Sequence, residues 1–250
     1  MKLFSTIFIL LFGLTLNAQV KIVVDYKLTI NDNLIGKRIQ NYIVYISKLK
    51  SIEFIKNSEP IASKESNNEV RDVTVISDTK PYFLLKDFSS KKIILSNNIN
   101  VKRFLIKDTL NQFEWNLTKE KKKIGNFNCK KASTNFRGRN YIAWYAEDIP
   151  IQNGPWKFCG LPGLIVNIYD DKFVFNYELT GIDLKPNFDK NIISLPKDYF
   201  QTKPITHKEF IVLFNKKLID YQKLSRVDHS TKNYKISNLT IALPEKQEKF

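Results

Sequence analysis

The sequence predicts a mainly β, α+β fold: a curved antiparallel sheet, an open barrel-like meander, with a C-terminal amphipathic helix packed on it. Three observations carry this expectation. Apolar side chains recur with period two along most of the chain. Clusters of Asn, Asp, Ser and Pro separate those stretches at short intervals. One segment alone switches to the helical period.

The first strand is expected over Val23–Ile30, where Val24, Tyr26, Leu28 and Ile30 share one face and Asp25, Lys27 and Thr29 the other. In Tyr42–Lys48 both faces carry apolar residues, so both are expected to be partly covered. Ile52–Lys56, Val73–Ser77, Tyr82–Lys86, Lys92–Ser96 and Val101–Ile106 continue the series, with turn residues at 57–60, 66–69, 77–81 and 96–100. Further strands fit Phe113–Thr118, Phe127–Phe136, Tyr141–Ala146, Leu164–Tyr169 and Phe173–Thr180, the last two joined by a tight turn at Asp170-Asp171-Lys172. Phe173, Phe175, Tyr177 and Leu179 make an aromatic face, either plain core or the lining of a ligand cavity. Thr206-His207-Lys208-Glu209 is a capping box: the Thr206 hydroxyl accepts from the Glu209 amide while the Glu209 carboxylate reaches back. Phe210, Leu213, Phe214, Lys217, Tyr221 and Leu224 follow at helical spacing, widened by Ile211 and Leu218, and the helix is expected on the concave face of the sheet. Pro244–Phe250 reads as a polar tail.

The N-terminus bears on compartment. One lysine, an apolar run from Leu3 to Leu16 and a small residue at Ala18 follow the order of a secretory signal peptide, with cleavage expected after Ala18. Residues 19–250 then form a single β-rich domain, exported and either periplasmic, outer-membrane-associated or secreted. No later stretch is long and apolar enough for a transmembrane segment. The net charge is +15, yet only six of the 40 basic residues are arginine, and the lysines are spread along the whole chain. A phosphate reader favours arginine, whose planar fork grips phosphate with two hydrogen bonds. Nucleic acid is therefore not expected as a partner.

Catalytic constellations are thin. His207 and His229 are the two histidines of the chain, neither with metal-ligand spacing, and HExxH, CxxC and GxSxG are absent. His207, at the first helical position, reads as a surface residue, and Asp170-Asp171 as turn formers rather than an acid–base pair. The expectation is no enzyme, no cofactor and no metal. Cys129 and Cys159 are compatible with a disulfide in an oxidising compartment or with two buried thiols.

The distinctive stretch runs from Cys129 to Asp170. It holds Cys129-Lys130-Lys131-Ala132, Phe136-Arg137-Gly138-Arg139, Ala143-Trp144-Tyr145, Ile149-Pro150, Gly154-Pro155-Trp156 and Gly160-Leu161-Pro162-Gly163-Leu164-Ile165. With these blocks in this order the chain resembles the GLPGLI family, exported proteins of the Bacteroidetes named for that hexapeptide. The resemblance implies an exported β-rich protein of unknown function and supplies no activity to carry over. From the residues themselves, Gly138 is expected to take a positive φ in a hairpin turn. Arg137 and Arg139 would then grip a carboxylate, phosphate or partner loop, or pair with Glu147, Asp148 or Asp170. The proline–glycine corners at 154–155 and 160–163 are expected to form a rigid bend anchored by Leu161, Leu164 and Ile165, with Trp144 and Trp156 as neighbours.

Two functions stay open at this level. The first is a non-catalytic envelope module that shelters an apolar ligand, lipid or peptide in or beside an open barrel. The second is an interaction protein that docks on an outer-membrane transporter or assembly through the Arg137–Arg139 turn and the Pro150–Gly163 loop.

Overall fold

In the computed structural model, residues 21–32, 36–58, 80–99, 102–110, 113–227 and 248 are described. The expected signal segment and the expected strand at Val73–Ser77 lie outside them. The described strands are β1 (Lys21–Asp32), β2 (Gly36–Ser47), β3 (Lys50–Ser58), β4 (Phe83–Asp87), β5 (Lys92–Ile99), β6 (Lys102–Thr109), β7 (Asn116–Ile124), β8 (Phe127–Phe136), β9 (Arg139–Ala146), β10 (Leu164–Asp170), β11 (Phe175–Asp183) and β12 (Ile205–Thr206), followed by helix α1 (His207–Val227). They make one open twelve-stranded sheet in the order β12-β6-β5-β4-β3-β2-β1-β11-β10-β9-β8-β7. Pairing is antiparallel except where the short β12 lies parallel to β6.

The chain's own connectivity requires the sheet to curl. β6 and β7 lie ten strand intervals apart in the sheet order, about 48 Å if the sheet were flat. Yet the link from Thr109 to Asn116 reaches at most about 25 Å. The two ends must therefore approach each other, and Arg137, in the β8–β9 turn, accordingly meets Asp108 of β6.

Inside the curl sits the connection between β9 and β10. Its Phe158 and Leu161, with Ile165 at the start of β10, are fully buried among Tyr141, Ala143, Tyr145, Phe175 and Tyr177. On the outer face, residues 188–199 cover Ile52, Phe83, Leu85 and Leu105 with Ile193 and Tyr199. β4 is consequently buried on both faces, and its first four residues, Phe83–Lys86, are all buried without alternation. Tyr26 of β1 donates its hydroxyl to the Ile165 carbonyl of β10 at 2.6 Å.

Helix α1 begins with the expected box: Thr206 N–H and hydroxyl donate to Glu209 Oε2 at 2.6 and 2.8 Å, and Glu209 N–H donates back to Thr206 Oγ1 at 3.2 Å. The helix packs at the β6 and β12 edge, where Phe210 meets Phe104 and joins Ile93, Leu95 and Ile106. Phe210, Ile211 and Phe214 thus lie against the concave side, as expected. Phe173 does not extend β11. It stands in the turn at φ 53°, exposed, and stacks on Tyr169, while Phe175 and Tyr177 are core.

Candidate functional site

The β8–β9 hairpin positions the site. Phe136 pairs with Arg139, so Arg137 and Gly138 are the two central turn residues, with φ of 46° and 77°. A two-residue turn with both φ positive matches the right-handed twist of its strands. Gly138 takes that conformation freely. Arg137 takes it at a cost, because a Cβ crowds the left-handed region.

Two residues of one type, two positions apart, then separate. Arg139 opens β9 and is buried in the wall of the sheet, its Nη1 2.7 Å from Asp170 Oδ2 and its guanidinium over the Phe175 ring. Asp170 also accepts from the Phe175 amide at 2.6 Å. Arg139 therefore makes the internal pair that its sequence neighbourhood allowed.

Arg137 turns instead into a cage assembled from four distant parts of the chain. Its Nη2 donates to Asp108 Oδ1 at 2.8 Å and its Nη1 to Glu248 Oε1 at 2.7 Å. Lys157 Nζ, 2% exposed, donates to Asp108 Oδ2 at 2.8 Å and to Glu248 Oε1 at 2.6 Å. His207 Nε2 lies 2.8 Å from Glu248 Oε2, and Arg137 Nη1 lies 3.0 and 3.3 Å from the two ring nitrogens. Burial alone would raise the Glu248 carboxyl. The His207 hydrogen bond and the charges of Lys157 and Arg137 overcome that and hold it below the usual carboxylate range. Asp108 is likewise held low against burial, by Arg137 and Lys157.

Asp108, His207 and Glu248 bring one ligand atom each within 4.8 Å of one another, a spacing compatible with a divalent ion. The cations argue against one. Arg137 and Lys157 already take both Asp108 oxygens and Glu248 Oε1, so the negative charge that would attract a metal is neutralised in place.

The loop carrying Lys157 is itself held by buried charge. From β4, Lys86 Nζ donates to Asn153 Oδ1 and to the carbonyls of Gly154 and Phe158 at 2.8, 2.8 and 3.0 Å. From β3, Glu53 Oε2 accepts the Trp156 amide at 2.8 Å. Burial pushes the Glu53 carboxyl up to about 7, against the opposing pull of Lys86 and that amide. The same burial brings the Lys86 ammonium down to about 8, despite the countering electrostatic pull of Cys159 and Glu53 beside it. The β3–β6 pairing registers put Glu53, Lys86 and Asp108 on one face of the sheet, the concave one.

The expected bend takes its shape from close approach. A Cβ on Gly163 would stand 2.1 Å from the Ala146 carbonyl oxygen, and one on Gly154 would collide with the Ile165 side chain at 2.7 Å. Gly160 takes φ 93°. Leu161, Leu164 and Ile165 are buried, Pro155 is also buried, and Pro162 is exposed. Trp156 packs in the loop against Phe136 and Phe158. Trp144 does not join it. It sits with Cys129, Ala146 and Val166 in a separate cluster.

That separation also decides the cysteines. Both thiols are free and buried. Cys129 lies on the face of β8 opposite Ala132, which packs against the loop cluster, whereas Cys159 sits among Leu84, Ile93 and Ile106. The strand wall keeps them apart, so the Cys129–Cys159 bridge does not form. Burial raises both thiols, Cys129 to about 11.

Sequence reasoning misses most of these partners. Glu53, Lys86, Asp108 and Lys157 look solvent-facing in any hydrophobicity pattern. Glu248 falls in the polar tail, and His207 reads as surface. The one available signal is the capping box, which places His207 at a half-buried corner only once β6 is beside it.

Residues 137–167 match a family model described as "Protein of unknown function (Porph_ging)", a Bacteroidetes-associated family. That segment contains Arg137, Arg139, Lys157 and the Gly160–Ile165 hexapeptide. No curated protein matches the chain. Among solved structures the chain is similar to PNGF-II in a P21 crystal form, with a TM-score of 0.52 at 17% identity over 78% of this chain and 33% of that one. A C2 form of PNGF-II gives 0.49 at 18%, over 76% and 31%. An uncharacterized conserved protein from Thermus thermophilus gives 0.41 at 8%, over 76% and 93%. The chain spans about a third of the length of PNGF-II, and the first likeness shows a shared β-rich fold alone.

Proposed function

We propose that this chain is a non-catalytic module of the cell envelope, of the GLPGLI type, that docks on a partner protein by gripping one of its carboxylates. The recognition element is the cage of Arg137, Lys157 and His207, and Glu248 is its resident occupant. One observation supports this above the others: the Glu248 carboxylate is met by three nitrogen donors at 2.6–2.8 Å, from Arg137, Lys157 and His207. Hydrogen bonds to charged groups contribute about 1.5–3 kcal/mol each, so such a receptor holds one side chain firmly enough to discriminate. Two of its members lie in the segment that matches the family model. Arg137 is kept in a left-handed conformation that an arginine rarely adopts, as expected where position serves recognition. Asp108 orients Arg137 and Lys157 without filling the third side of the cage.

An apolar ligand inside the curl is the weaker reading, because Phe158, Leu161 and Ile165 fill that space.

The test uses a fluorescein-labelled peptide of the chain's own residues 243–250, added in trans and followed by anisotropy. Glu248→Gln in the protein vacates the cage of its full charge and is expected to tighten peptide binding at least about ten-fold over the parent chain. The same peptide carrying Gln at the Glu248 position is expected not to bind, and Arg137→Glu in the protein to abolish binding. Equal binding of the two peptides would sink the proposal.

A further inference from the structure

A second recessed surface lies away from the cage, between the start of β6 and the outer flank of α1. Its floor is apolar: Ile99 at the end of β5, Phe104 on β6 and Leu213 on α1. Its rim is cationic, with Lys102, Lys216 and Lys217 against the carboxylate of Asp220. The volume is about 330 Å³, at the small end of the range in which proteins hold small ligands. Lys102 Nζ stands 5.1 Å from the centroid of the Phe104 ring, so positive charge begins where the apolar floor stops. Beyond the rim the helix also exposes Val212 and Ile219.

Apolar carbon beneath and ammonium groups above select for a ligand that carries both hydrocarbon and negative charge. A polypeptide fits this less well, since its backbone would bring polar groups to a floor made of Ile99, Phe104 and Leu213, where an unpaired polar group is costly. A cation or a sugar matches neither half. We propose that this groove binds a free single-chain amphiphile with an anionic head, a fatty carboxylate. The lysines take the head and the three apolar residues take the chain. The groove shares no residue with the cage, so the two sites stand or fall separately.

The experiment titrates the purified chain with octanoate, decanoate and dodecanoate below their micelle concentrations, by displacement of a fluorescent fatty acid and by calorimetry. Affinity is expected to rise roughly ten-fold for each two methylenes added. Dodecyltrimethylammonium, the same chain with a cationic head, is expected not to compete. Leu213→Glu and the double variant Lys102→Glu/Lys216→Glu change exposed side chains, so their folding is checked by thermal melting. Each is expected to lower dodecanoate affinity at least about ten-fold, while Lys172→Glu, an exposed change in the β10–β11 turn, leaves it unchanged. Competition by the cationic amphiphile, unaltered affinity in both groove variants, or binding to anionic vesicles but not to monomeric dodecanoate would each overturn the proposal. The last outcome would make this flank a membrane-facing surface instead.

Discussion

Arg137 and Arg139 flank one glycine, yet they belong to different parts of the molecule. Arg139 is 2% exposed and closes a pair with Asp170 inside the sheet wall. The side chain of Arg137 is 22% exposed and ties the hairpin to β6, to the first residue of α1 and to Glu248 near the chain's end. The difference lies in what each partner could do without it. Asp170 has no route to water, whereas Asp108 and Glu248 keep Lys157, and Glu248 also keeps His207. Burial turns the first pair into a structural obligation. Redundancy makes the second cluster exchangeable, which is what a docking site requires.

The largest expected effect breaks the inner pair. Arg139→Ala leaves a buried carboxylate uncompensated and should cost about 3–5 kcal/mol. In a domain of this size each kcal/mol lowers Tm by roughly 2–4 °C, so a melting curve should shift by about ten degrees. If Arg139→Ala melted no earlier than Arg137→Ala, the contrast between the two arginines would fail.

A smaller effect sharpens it. Arg137→Gly removes the cage contacts but also the strain of a Cβ at φ 46°, and glycine prefers that region by about 1 kcal/mol. The net loss of stability should stay below that of Arg139→Ala by chemical denaturation, because Lys157 and His207 remain on Asp108 and Glu248, while peptide binding is lost. Arg137→Val keeps the strain, adds a β-branch and should be clearly less stable than Arg137→Gly.

The smallest effect is in pH dependence. Asp108 and Glu248 are held below their ordinary values of 3.8 and 4.5. Their contribution is therefore complete above about pH 4.5 and is lost as pH falls through the folded values. Glu53 works in the opposite sense. Raised from 4.5 to about 7, it favours the folded state as pH drops from 7 toward 4.5. Tm should rise slightly between about pH 7 and 5 and then fall below about pH 4. Glu53→Gln should flatten the rising limb and leave the fall intact.

Much of the fold is legible in the sequence. The strand over Phe127–Phe136 and the capping box at Thr206 fall where their patterns put them. β7 lies later than the pattern predicts, because Lys119–Lys123 carry no apolar alternation. An edge strand exposed along nearly its whole length needs none, and lysine on an edge deters further pairing. The short β12 has too few residues to show a period at all. The site is legible in one of its halves. Arg137, Gly138 and the hexapeptide stand out as residues, but their partners do not.

Local chemistry alone determined most of the strands, the helix start, the left-handed turn at Gly138 and the tight proline–glycine bend, since each depends on neighbours within a few positions. Tertiary structure decided which charges met. Asp108, Lys157, His207 and Glu248 span 140 positions of the chain between the first and last numbers, and no periodicity links residues so far apart. They come together because a sheet with a short β6–β7 link must curl, and curling carries side chains that alternate toward water into a closed interior. There each charge had to find a counter-charge or forfeit its hydration.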